Sequence, residues 1–272
     1  MACSFYEFIG LAIVALIFCS ISNRVQYYTK MIVFIVSALF AAVLPIPLML
    51  PRPRDYRNAL IPAWCIVKVG QLIGASYEIR GLENINRDSG GVVLINHQSA
   101  IDLIVLGKLW PVIGRATQVA KKEIFYLFPF GLACYLWGTL FINRQNQTSA
   151  RNVINRESKA INERKSKILF FPEGTRNPSE TLLPFKKGSF HVAIQAQCPI
   201  QPIVVSRYTY LDSKRKYFGR GRTIISILPE VNTKGMIKSD IDSLVSNVQN
   251  LMQESYEKIS DEASAAENMK YY

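Results

Sequence analysis

Histidine is scarce in this chain, with two in 272 residues, His97 and His191. Two imidazoles so far apart, with no CxxC pair and no Cys/His cluster beside them, argue against a metal site. The five cysteines, Cys3, Cys19, Cys65, Cys134 and Cys198, are scattered and odd in number, which excludes a disulfide framework and fits a reducing, cytosol-facing setting. Acidic residues are also few, 20 against 32 Lys and Arg, for a net charge of +12. A basic surface combined with a mean hydropathy of +0.12 points to an anionic membrane rather than to nucleic acid. No G-x-S-x-G elbow occurs, which weighs against a serine-hydrolase mechanism, and no long-period repeat or low-complexity block suggests a solenoid or a tail. The extreme N-terminus, "MACSFYE", carries Glu7 and no Lys or Arg before its apolar run, so a retained anchor is expected rather than a cleaved signal.

What is present divides into two materials. Residues 8–21 and 31–50 are apolar, and the second run is long enough to cross a hydrocarbon core of roughly 30 Å at about 1.5 Å per residue. Arg24 and Lys30 fall between the runs, and Arg52, Arg54 and Arg57 follow the second. A single crossing leaves basic clusters on both faces, so the charge rule gives no orientation. A hairpin in one leaflet puts both clusters on one side and is the preferred reading; two crossings remain open. Pro45, Pro47, Pro51 and Pro53 end the second helix. Residues 59–74 are apolar with Trp64 and Lys68, and are expected along the interface or against the domain. The organisation expected is a two-helix membrane anchor over residues 1–58, one catalytic domain over 59–260, and a disordered tail over 261–272.

From Tyr77 onward β-rich runs alternate with helical spacing: "YEIRG", "GVVLI", "TQVAKK", "GTLFINR", "KILFFPEG", "IQPIVVSRY" and "RTIISILPEV". This interleaving predicts an α/β fold, a mostly parallel sheet covered by helices. Near the C-terminus Ile241, Leu244, Val245, Val248, Leu251, Met252 and Tyr256 share one helical stripe.

"VVLINHQSAID" runs from a buried strand into His97, with Asp102 five positions on. On a continuous helix the two are about 140° apart, and on a strand they face opposite sides. A strand ending near Ile95 and a helix beginning near Ser99 would let Asp102 fold back, hold Nδ1–H and leave Nε2 free as a base. The competing reading is a capping box, Ser99-x-x-Asp102, which requires no chemistry. Asn96 reads as a turn residue, and His191 as packing on the helix "GSFHVAIQA".

"NHQSAID" resembles the NHxxxxD motif of the glycerolipid acyltransferases. "GTLFINR", "FFPEGTRN" and "CPIQPIVVS" resemble that family's further blocks, in order and at similar separations. With "VAKKEIFYLFPFG" and "LPFKKGSFHVAIQA" the resemblance covers about residues 77–229 and is closest to the 1-acylglycerol-3-phosphate O-acyltransferases. It implies an enzyme that esterifies the sn-2 hydroxyl of lysophosphatidic acid with an acyl group from acyl-CoA, giving phosphatidic acid and CoA. It implies His97 as base, Asp102 as its orienting acid, and direct transfer without an acyl-enzyme. Arg144, Glu173, Gly174, Thr175, Arg176 and Lys186 are the expected contacts to the acceptor's phosphate and glycerol. Gly174 admits backbone N–H groups to an anion and Arg176 offers a planar fork. Glu173 is the odd member, since a carboxylate repels phosphate, and the resemblance gives it a glycerol hydroxyl or the positioning of arginines. Pro199, Ile200 and Pro202 take an acyl or CoA role on the resemblance alone; composition reads them as core strand. Phe125, Tyr126, Phe128, Pro129 and Phe130 could line a chain tunnel, rest on lipid or form core. The expected partners are lysophosphatidic acid, acyl-CoA and membrane lipids, with no nucleic acid, no cofactor beyond the co-substrate and no metal, at the cytosolic face of the endoplasmic reticulum membrane. A glycerol-3-phosphate or other lysophospholipid acyltransferase, and a non-catalytic lipid-binding protein, are the alternatives.

Overall fold

Val92, Val93, Leu94 and Ile95 are each at most 1% exposed, because the strand they form has a helical layer on both faces. A computed structural model describes residues 22–142, 158–159 and 161–268 of the chain. Among these, β1 (Ala75–Arg80), β2 (Gly91–Ile95), β3 (Ala116–Lys121), β4 (Leu140–Ile142), β5 (Lys167–Phe170) and β6 (Ile200–Val205) precede a small antiparallel hairpin, β7 (Leu211–Asp212) and β8 (Tyr217–Phe218). β9 (Gly221–Ile227) completes a seven-stranded sheet of order β1-β9-β6-β2-β5-β3-β4. All neighbours are parallel except β6 and β9, so β1 and β9 run against the other five. The expected α/β architecture is what the chain adopts, with each anticipated run supplying one strand.

Side chains alternate across the sheet with period two. Val93 and Ile95 join the core under α1 (Asn23–Val43), α2 (Ile46–Met49), α3 (Leu60–Leu72), α4 (Asp102–Ile113) and α5 (Phe130–Leu136). Val92 and Leu94 join the opposite core, under α6 (Gly188–Ala196) and α7 (Ile241–Asn268). Helix α7 buries Ile241, Leu244, Val248, Met252, Tyr256, Ile259 and Ala263 at helical spacing. Leu251, expected on that stripe, is 37% exposed.

Two expectations change at the ends of the chain, and a third falls outside the described residues. Arg24 and Lys30 do not lie in a connection but inside α1, whose helix begins at Asn23. Lys30 Nζ donates to the carbonyl oxygens of Phe218 and Gly219 at 2.8 and 2.9 Å, so this charge stitches the apolar helix to the hairpin of the domain. Helix α1 is long and apolar enough to cross a membrane, and Ile32, Ile35, Leu39 and Phe40 on it are exposed. The first apolar run, residues 8–21, lies outside the described residues, so the structure describes one apolar helix and not a two-helix anchor. At the other end α7 continues to Asn268 instead of ending near Ser260. Ala263 is buried and Arg80 pairs with Glu262, which fixes this last part of the helix to β1.

Candidate active site

The parallel strands β2, β5 and β6 all end on one edge of the sheet, and that edge is where open α/β sheets hold ligands. His97 stands two residues past the end of β2. The turn that carries it is fixed by side chains imitating backbone. Buried Asn96 donates from Nδ2 to the carbonyl of Val205 at 3.0 Å and accepts from its N–H at 2.7 Å, while Gln98 Nε2 donates to the carbonyls of Val205 and Ser206. Asn96 is therefore the bridge between the ends of β2 and β6, more than the turn residue its type suggested.

Asp102 is the first residue of α4 and does fold back on the histidine. Its Oδ2 lies 2.5 Å from His97 Nδ1 and also accepts the N–H groups of Gln98 at 2.7 Å and Ser99 at 3.1 Å. The bond from Ser99 N–H has the spacing of the capping reading, but the helix begins at Asp102 with Ile101 at its N-cap, so this oxygen ties the turn before the helix and holds the histidine together. Three donors on Oδ2 fix its orientation, and the carboxylate in turn fixes the imidazole tautomer with Nδ1 protonated. Nε2 then has its lone pair free, and no protein group among the described residues bonds to it. The ring stacks on Phe171 with centroids 4.1 Å apart and is 20% exposed, enough to reach a substrate.

The second oxygen of Asp102 has a partner that the motif did not include. Tyr208 donates its hydroxyl to Oδ1 at 2.6 Å. Burial, and then the nearby charge of Asp102, hold the Tyr208 hydroxyl well above the usual phenol range, so it stays a donor. The signal for it was available: Tyr208 lies just past the carboxyl end of β6, on the ligand edge of the sheet.

β5 ends in the loop "FPEGTRN", and this loop is tied to the histidine turn. Asn177 N–H donates to the His97 carbonyl at 2.7 Å. Glu173 is 2% exposed and both of its oxygens face donors. Oε1 accepts the His97 N–H at 2.9 Å; Oε2 accepts the Leu183 N–H at 2.9 Å and Asn177 Nδ2 at 3.2 Å. Burial raises its pKa, and these donors oppose the rise. The carboxylate that looked misplaced beside phosphate is thus turned inward, beneath the loop. Glutamine at this position must point an amide NH₂ at a backbone N–H, leaving buried donors unpaired at about 1–3 kcal/mol. Glu173→Gln is expected to lower the melting temperature by several degrees in a thermal unfolding scan.

Gly174 takes φ +72°, a left-handed turn, and a Cβ there would meet the Lys186 side chain at 2.7–2.9 Å. Lys186 thus crosses directly over the turn, and Thr175 and Arg176 stand exposed beside it. Lys187 points elsewhere, pairing with Asp242 at 2.5 Å. The structure therefore gathers His97, Asp102, Gly174, Thr175, Arg176 and Lys186 on one edge. Arg144 lies outside the described residues. Pro199, Ile200 and Pro202 are not brought to this edge. Ile200 pairs with Val92, five residues before His97, which places it about 15 Å from the imidazole end at about 3.3 Å per residue. Ile200 and Pro202 are buried in the strand, as their composition suggested. Tyr126, Leu127 and Phe128 form an exposed apolar surface after β3 and not core.

Known proteins resemble this chain in sequence and in fold. A family model described as Acyltransferase matches residues 76–206. The 1-acyl-sn-glycerol-3-phosphate acyltransferase alpha of Bos taurus is 36% identical over 244 residues, 89% of this chain and 84% of that one. The beta enzyme of Homo sapiens is 32% identical over 251 residues, covering 90% and 88%, and the 1-acyl-sn-glycerol-3-phosphate acyltransferase of Saccharomyces cerevisiae is 31% identical over 247, covering 88% and 80%. The crystal structure of the 1-acyl-sn-glycerophosphate (LPA) acyltransferase PlsC of Thermotoga maritima shares the fold, with a TM-score of 0.67 at 22% identity over 87% of this chain and 97% of that one. At these identities, over most of the length of each relative, the chain belongs to the 1-acyl-sn-glycerol-3-phosphate acyltransferase family.

Proposed function

We propose that this protein transfers an acyl group from acyl-CoA to the sn-2 hydroxyl of 1-acylglycerol-3-phosphate, at the cytosolic face of the endoplasmic reticulum membrane. The observation that carries the reading is the His97–Asp102 pair, with Nε2 free, on a turn bonded to the loop that bears Arg176. Nε2 takes the hydroxyl proton as the oxygen attacks the thioester carbonyl. The C–O bond forms, the tetrahedral intermediate expels CoA as the C–S bond breaks, and the imidazolium returns the proton to the departing thiolate. Asp102 stabilises the imidazolium in between. No group of the protein is acylated. Arg176, Thr175 and Lys186 hold the phosphate, Gly174 keeps the turn open for it, and Glu173 positions the His97 backbone. The exposed apolar face of α1 and the aromatic surface after β3 rest in lipid, which brings a lipid acceptor and a water-borne donor to the same edge.

The test is the purified full chain in detergent, offered a panel of lysolipids and acyl-CoAs with released thiol as readout. Lysophosphatidic acid is the expected acceptor; a preference for glycerol-3-phosphate or a zwitterionic lysolipid overturns the substrate assignment. Arg176→Ala is expected to raise KM for lysophosphatidic acid by about 10-fold or more, the scale of a lost charge-assisted bond, with KM for acyl-CoA unchanged. An unchanged acceptor KM removes Arg176 from the cradle. Tyr208→Phe is expected to lower kcat by about 10-fold with little change in either KM, since a hydrogen bond to a charged group contributes about 1.5–3 kcal/mol. Equal kcat for the two proteins makes Tyr208 a packing residue only.

A further inference from the structure

The arginines of "LPRPRDYR" and two from distant segments, Arg115 in a connection and Arg164 at the end of a helical turn, meet at the other edge of the sheet. A cleft of about 870 Å³ is lined there by Arg52, Arg54, Arg57, Arg115 and Arg164, together with Trp137. Arg115 precedes β3 and Arg164 precedes β5, so the cleft lies at the amino ends of these parallel strands, and the carboxyl end of β5 carries the loop of the candidate active site. The two are separated by the height of the sheet, on the order of 15 Å.

The charges there are not balanced. Asp55 is taken by Arg57, through Nε and Nη2 at 2.6–3.0 Å, and Glu163 lies 3.7 Å from Lys159. Arg54 lies over the Tyr135 ring. For Arg52, Arg115 and Arg164 no acidic partner stands within ion-pair distance among the described residues. Arg54 and Arg115 also hold left-handed backbones, φ 62° and 44°, a conformation that costs a residue with a Cβ of the order of 1 kcal/mol. The rim is held in place: Asn58 Nδ2 donates to the carbonyls of Arg52 and Leu136, and Trp110 Nε1 to that of Tyr56. Leu44, Leu48 and Leu50, all exposed, precede the first of these arginines, so the cleft opens where an apolar surface ends.

Planar guanidinium groups without acidic partners, converging on a fixed cleft, suit a phosphate group. We propose that this cleft is a second phosphate site, distinct from the acceptor cradle. Its place beside exposed leucines fits the headgroup of an anionic phospholipid, and a soluble phosphate compound offers the same chemistry from the water side. The site goes beyond the proposed transfer reaction and does not depend on it.

Native mass spectrometry of the full chain, released from detergent with phosphatidylglycerol or phosphatidylcholine, tests the idea without any turnover. The wild-type chain is expected to retain phosphatidylglycerol about 10-fold better than phosphatidylcholine, the scale of one or two charge-assisted bonds. The pair Arg115→Gly and Arg164→Ala is expected to abolish that preference. Glycine relieves the left-handed backbone at 115, so loss of folding is not the expected cause, and a retained melting temperature checks it. Arg176→Ala, on the other edge, is expected to keep the preference. Displacement of the lipid by millimolar inorganic phosphate or CoA supports the site and assigns it to a soluble ligand; resistance to both assigns it to the headgroup. An unaltered preference in the double variant, or its loss in Arg176→Ala alone, overturns the proposal.

Discussion

Alanine at position 97 is expected to lower acyl transfer by about 10²–10⁴-fold, the usual contribution of a positioned general base. The loss is expected on kcat, because the role proposed for the ring is at the acceptor hydroxyl and not at the phosphate that anchors it. Lysophosphatidic acid binding is expected to survive, and the reason is local. The turn is held through the backbone of residue 97, whose N–H reaches Glu173 and whose carbonyl accepts from Asn177. Both bonds persist when the side chain is shortened, so the loop bearing Arg176 stays in place. What is lost is the imidazole and its stacking on Phe171. Single-turnover transfer and equilibrium lysolipid binding, measured on the same preparation, separate the two effects. Unchanged transfer would remove His97 as the base, and no transfer in the wild-type chain itself would leave a lipid-binding protein on this fold; lost binding would place His97 in the cradle.

The parts legible in the sequence are those that short-range chemistry dictates. A strand buried on both faces must read as an apolar run, and "GVVLI" and "KILFF" do; both became strands of the central sheet. The return of Asp102 to His97 followed from excluding a regular helix and a regular strand; of the competing capping box only the bond from Ser99 N–H is made, to the same oxygen, since the helix begins at Asp102 with Ile101 at its N-cap. Glu173 was visible as an anomaly, but its burial against the Leu183 and His97 N–H groups needs three segments folded together. Tyr208 could be placed on the ligand edge from its position after a strand run, but not paired: its bond to Asp102 spans 106 residues and depends on β6 lying beside β2. Lys30 looked like a loop charge because apolar periodicity breaks there. Only the hairpin, whose two-residue strands are too short to show a pattern, supplies the carbonyls that accommodate it within α1. The helical continuation past Ser260 was masked by polar composition, and it is fixed by Ala263 and by the pair between Glu262 and Arg80.

Asparagine at position 102 separates the two roles of that carboxylate. Oδ2 accepts from His97 Nδ1, Gln98 N–H and Ser99 N–H, whereas Oδ1, among the described residues, accepts from Tyr208 alone. The side-chain oxygen of asparagine therefore takes the Oδ2 place, and its NH₂ faces the Tyr208 hydroxyl, which can rotate to accept. The turn and the imidazole tautomer are kept, and the negative charge beside the imidazolium is removed. Asp102→Asn is accordingly expected to melt within a few degrees of the wild type and to lose about 10²-fold in kcat. That is less than the roughly 10⁴-fold loss seen where the same exchange reverses the histidine tautomer in serine proteases. Asp102→Ala is expected to lose activity and stability together, because the Gln98 and Ser99 N–H groups are left without an acceptor at about 1–3 kcal/mol each. Adding Tyr208→Phe to Asp102→Asn should cost little more, since the hydroxyl acts through the charge already removed. If Asp102→Asn turns over at the wild-type rate, the aspartate is a helix cap that happens to touch a histidine, and the imidazole must draw its basicity from elsewhere.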